Sequence, residues 1–131
     1  MSGSARGADR IREVQGQFPA CNRSQLTPEK QQARVEAAKR THQAALQAYE
    51  NRDWQAAARL WTEAYAFDCS RPRVFMNIGD SYERAGDAHA ALAMYLLLKE
   101  RVDADQLPGG IDEKIEELRA IVQEEDAAHS Q

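Results

Sequence analysis

Residues 75–95, FMNIGDSYERAGDAHAALAMY, read as two helices and the turn that joins them. The first covers about 73–85 and stops near Gly86, a residue that ends a helix in the left-handed conformation without a Cβ penalty. Asp87 then caps a second helix over about 88–101, its carboxylate placed to accept from the first free amides. That second helix contains Ala90-Ala91-Leu92-Ala93-Met94-Tyr95-Leu96-Leu97-Leu98, apolar on almost every side. Such a helix needs neighbours on more than one face.

The pattern recurs upstream. Arg52-Asp53-Trp54 aligns with Gly86-Asp87-Ala88, and the same offset of 34 carries Ala45 to Gly79, Ala57 to Ala91 and Trp61 to Tyr95. Small residues at 45/79 and 57/91 let the two helices of a pair cross closely, and aromatics at 61/95 fill the space between one pair and the next. The turn at 52–53 and 86–87 must be tight, which Gly86 meets better than Arg52. The helix after the first turn, about 54–67, has Trp54, Ala57, Ala58, Trp61, Ala64 and Tyr65 on one apolar face.

With those residues in view, Phe75–Tyr95 resembles a tetratricopeptide repeat, a pair of antiparallel helices with a period of 34 residues. Phe75, Ile78, Gly79, Tyr82, Gly86, Ala91 and Tyr95 match the signature positions. The upstream unit matches through Asp53, Trp54, Ala57, Trp61 and Ala64, but Thr41, Ala44, Ala45 and Ala48 replace bulkier residues in its first helix. Cys69 stands where the family usually has proline, with Pro72 soon after. The resemblance covers about residues 38–101 and implies an all-α fold of two repeats, about 38–71 and 72–105. A third repeat is incomplete: the offset from Gly79 lands on Glu113, in a helix of about 111–126 that fits a single solvating cap.

The resemblance also implies a function. In that family the first helix of each pair lines a concave side, where a peptide or helix of another protein binds. With Ala38 and Pro72 as the first positions of the two units, the inward residues are Lys39, His42, Gln43, Leu46, Tyr49 and Glu50, then Arg73, Met76, Asn77, Asp80, Glu83 and Arg84. Leu46, Tyr49 and Met76 supply apolar contact, Asn77 can bond a backbone amide, and Lys39, Arg73 and Arg84 suit a carboxylate. The chaperone-binding members hold a terminal carboxylate with Lys and Asn over three repeats. Only Asn77 matches those positions, and Leu46 stands where another Asn is wanted, so that specific function is rejected. A protein-binding adaptor or scaffold is expected. The alternative is a self-assembling subunit whose exposed repeat faces form a homo-oligomer, since two repeats are short for closing a core alone.

Outward from the repeats, Thr27, Pro28 and Glu29 start a helix over 28–51 as cap, first-turn proline and first-turn acid. Cys69, Ser70 and Pro72 break the chain at 68–72, and Leu107-Pro108-Gly109-Gly110 ends the loop from Val102. The closing helix puts Ile111, Ile115, Leu118, Ile121 and Val122 on one stripe, with Asp112, Glu113, Glu116, Glu117, Glu124 and Glu125 on the other face. The domain thus spans 27–126. Residues 1–26 are expected to be a disordered arm, with a transient helix around Asp9–Gln15, and residues 127–131 a disordered tail.

Composition agrees with an all-α fold: apolar residues make up 43%, much of that alanine, while aromatics are only 7% and strand formers are sparse. Net charge is −4, and residues 100–131 alone hold three cations against ten carboxylates. That balance disfavours nucleic acid, which needs clustered Lys and Arg. No stretch reaches the roughly 20 apolar residues of a membrane span, and residues 1–20 contain no leader-like apolar run, so cytoplasm is the default; a start upstream would reopen a periplasmic or lipid-anchored placement. Cys21 and Cys69 permit one disulfide, and their spacing does not require it. His42, His89 and His129 have no metal-ligand spacing, and no phosphate loop, nucleophile elbow or HExxH motif is present, so no cofactor, metal or catalytic residue is expected.

Overall fold

A computed structural model describes residues 3–129, with side chains from residue 7 onward. The described residues are all-helical: α1 (Gly3–Gln15), α2 (Pro28–Glu50), α3 (Trp54–Phe67), α4 (Val74–Arg84), α5 (Ala88–Arg101), a 3-10 turn at Ala104–Gln106 and α6 (Ile111–His129). The start of α2 follows its local chemistry: the Thr27 hydroxyl accepts from the Lys30 amide at 3.2 Å, and proline opens the first turn.

α2 and α3 form one hairpin, α4 and α5 the next, and α3 packs on α4. The two hairpin turns share one geometry at an offset of 34. Arg52 (φ 61°) and Gly86 (φ 83°) both occupy the left-handed region. Arg52 N–H donates to the Tyr49 carbonyl and Asp53 N–H to Ala48; Gly86 N–H donates to Glu83 and Asp87 N–H to Tyr82. Asp53 and Asp87 then each cap the following helix, accepting from Ala56 and Ala90. Ala45, Gly79, Ala57 and Ala91 are buried, as are Trp61 and Tyr95. A Cβ built on Gly79 would stand 3.0 Å from ring atoms of Tyr95, so glycine there permits the close crossing.

α5 is buried on nearly every face because α4, α1 and α6 all pack against it. One of those neighbours comes from the segment expected to be a disordered arm. Gly7, Val14 and Phe18 are buried, and Ile11 packs on the core beside them. Gly7, Ile11 and Val14, spaced four and three, make one narrow helical stripe, and Phe18 follows just past the end of the helix. The segment is amphipathic, but as a whole it is strongly polar and its apolar area small, so it becomes a stable helix only against the second apolar face of α5 and a face of α6. Arg10 ties the helix to Asp87 at 2.7 Å, and the guanidinium's pKa is raised by that hydrogen bond.

Beyond α1, residues 16–27 run as a strap to α2. Phe18 packs edge-on to Tyr65 and Phe75, at ring-centroid distances of 5.7 and 5.3 Å. Arg101 donates to the carbonyls of Phe18 and Pro19. Cys21 is disulfide-bonded to Cys69, with Cα atoms 5.4 Å apart. Further along, Arg23 lies 3.6 Å from Asp68, and the Gln31 amide donates to the carbonyls of Arg23 and Leu26.

At the other end, α6 buries Ile111, Ile115, Leu118 and Val122, spaced four, three and four. Ile121, placed on that stripe from sequence, falls at its edge and is 37% exposed. The six carboxylates of the opposite face are all exposed. The helix also runs past 126, through His129, so residues 127–129 are helical rather than a loose tail; residues 130–131 lie outside the described residues.

Candidate functional site

Between α2 and α4 lies a cavity of about 910 Å³. α2 presents Val35, Ala38, Lys39 and His42 to it, positions spaced three, one and three along one helical face. α4 and its approach present Arg73, Val74, Met76 and Asn77. Ala64 and Tyr65 of α3, then Asp68, Ser70, Arg71 and Pro72, line the side where α3 ends. Arg101, Val102, Asp103 and Gln106 complete the wall.

His42 is held by the core. The indole N–H of buried Trp61 donates to His42 Nδ1 at 2.8 Å. A neutral imidazole that accepts at Nδ1 carries its proton on Nε2, so the ring offers a donor on the side away from Trp61. Asp68, with its side chain 6% exposed, is held equally firmly. Its carboxylate accepts from the Ser70 hydroxyl at 2.6 Å and the Ser70 amide at 3.1 Å. Burial pushes its pKa up, but those bonds, with Arg23 and Arg71 nearby, outweigh it and hold the carboxyl below its ordinary value.

The residues named from sequence therefore divide. Lys39, His42, Arg73, Met76 and Asn77 come together at the cavity. Tyr49, Asp80 and Arg84 instead bond one another farther along the same two helices. The Tyr49 hydroxyl donates to Asp80, Arg84 Nε donates to the same carboxylate at 3.0 Å, and the Arg84 guanidinium lies over the rings of Tyr49 and Trp54. The bond to Asp80, then burial, raises the Tyr49 pKa. Asp80, Glu83 and Arg84 border a smaller depression of about 290 Å³ with Tyr95 and Lys114. There Glu83 accepts from the Tyr95 hydroxyl and from Lys114, whose pKa is raised by that bond. Leu46 is half-buried against the core, and Gln43 and Glu50 are exposed outside both hollows.

Sequence reasoning missed the wall built by Asp68–Pro72 and Arg101–Gln106. Counting inward positions on the first helix of each pair leaves no way to place a loop or the end of a second helix. Cys69 was the available signal, because a disulfide to Cys21 draws the strap to that loop.

Among the described residues, no group of three or more His, Cys, Asp or Glu is placed to hold a metal ion, and no helix is long and apolar enough to cross a membrane. No family model, no curated protein and no solved structure matches this chain.

Proposed function

We propose that this chain is a protein-binding module of the tetratricopeptide kind, an adaptor or scaffold that takes a segment of a partner protein between α2 and α4. The observation that carries this reading is the cavity itself, where apolar Val35, Ala38 and Met76 alternate with the donors His42, Asn77 and Arg73. Convergent polar groups in an apolar-walled cleft are the usual makings of a recognition site. The equivalence of the two hairpin turns at an offset of 34 supports the repeat assignment. Met76→Glu combined with Asn77→Ala tests the groove: a partner retained by the native chain is lost by the variant while helicity is unchanged. Equal recovery by both chains contradicts the reading.

A second reading, homo-oligomerisation, is favoured by α2, whose 23 residues bury only Ala45 fully. Sedimentation at micromolar concentration separates the two. A monomer favours the adaptor, and a stable dimer protected along α2 favours self-assembly.

The disulfide also bears on location. A Cys21–Cys69 bond persists in an oxidising compartment and is reduced in a cytosol, so it argues against the cytoplasmic expectation. Alkylation and intact mass of protein from its native source test this: two unmodified cysteines support an oxidising compartment, and two alkylated ones support the cytosol.

A further inference from the structure

We propose that the segment bound between α2 and α4 is acidic, an extended peptide in which aspartate or glutamate side chains alternate with apolar ones. This deepens the groove reading and rests on it. Four cations line the cavity, Lys39, Arg71, Arg73 and Arg101, against two carboxylates. Asp68 pairs with Arg23 and Arg71, and Arg101 is held by the Tyr65 hydroxyl and the Phe18 and Pro19 carbonyls. That leaves Arg73 and the exposed Lys39, 3.7 Å from Glu36, as the cations a ligand can reach. The hollow is therefore locally positive on a chain of net charge −4. Potentials set by such local clusters steer and select partners more than net charge does.

The neutral groups act in the same sense. Trp61 occupies the accepting nitrogen of His42, which leaves a donor for the ligand. Among the described residues the Asn77 side chain has no hydrogen-bond partner, and it lines the same wall. Arg73 is exposed and has only a long contact, 3.4 Å, to the Gln106 carbonyl, so its fork remains available to a carboxylate. Met76, Val35 and Ala38 beside these donors require apolar side chains in the ligand, which a simple inorganic anion does not have.

Selection of twelve-residue peptides from a random displayed library on the full, oxidised chain tests the proposal, with polyuridylate as a second probe. The expected result is enrichment of peptides rich in Asp and Glu with interspersed Leu, Ile, Val or Met. Their affinity should fall about tenfold or more in Lys39→Gln plus Arg73→Gln, and also as salt rises. Lys39→Glu plus Arg73→Glu should redirect the selection toward Lys and Arg, a gain that an unfolded variant cannot produce. Neutral or basic peptides that still require Met76 and Asn77 would overturn the acidic assignment and leave the groove standing. Tighter binding of polyuridylate through Lys39 and Arg73 would overturn it in favour of nucleic acid. No selected peptide, or peptides indifferent to Met76→Glu plus Asn77→Ala, would overturn the groove itself.

Discussion

Arg52 and Gly79 show what single positions cost in this architecture. Arg52 holds φ 61°, a conformation that an L residue with a Cβ enters at a cost of about 1 kcal/mol or more. Arg52→Gly should therefore raise stability by about 1 kcal/mol, read as a higher urea midpoint with an unchanged slope. Gly79 is the opposite case: Gly79→Ala would set a methyl 3.0 Å from the Tyr95 ring, and about 1–3 kcal/mol should be lost as α4 and α5 move apart. These positions were legible in the sequence because sterics alone constrain them. The Tyr49–Asp80–Arg84 bonding was not, since a repeat register marks which side chains face inward but not which of them bond to one another.

Elements follow the sequence where a helix carries its own cap and a wide apolar face. Helices expected over 28–51, 54–67, 73–85 and 88–101 appear as Pro28–Glu50, Trp54–Phe67, Val74–Arg84 and Ala88–Arg101. α1 was expected only as a transient helix around Asp9–Gln15, because its own stripe is only Gly7, Ile11 and Val14 and its stability comes from surfaces sixty or more residues away. The all-apolar character of α5 was the indirect sign that one more neighbour was needed. Phe18→Ala should cost about 3–5 kcal/mol, the usual range for emptying a buried phenylalanine site. Amide exchange in that variant should quicken in the strap and around Tyr65 and Phe75, the rings that Phe18 packs against. Unchanged exchange there would mean that the strap does not support the α3–α4 contact.

At the scale of the whole molecule, the strap fastens the ends of three helices beside the cavity. Cys21–Cys69 closes a loop with a sequence separation of 48, for which the chain-entropy account gives about 4 kcal/mol. Reduction should lower the thermal midpoint of the native chain and leave Cys21→Ser plus Cys69→Ser unaffected. Asp68 adds a pH dependence at the same place. Its folded pKa is depressed, so its contribution is present above the ordinary carboxylate range and is lost as pH falls below about 4 toward the folded value. Asp68→Asn should flatten that acid limb in denaturation curves taken between about pH 3 and 7. Loop and strap were not legible because two cysteines permit a bond without requiring one.

In the proposed reading, two hairpins stacked in register leave the α2–α4 hollow for another protein. Amide chemical-shift mapping with a bound partner segment tests it most directly. Shifts should concentrate at Val35–His42, Arg73–Asn77 and Arg101–Gln106. Shifts confined to α1 and the acidic face of α6 would contradict it.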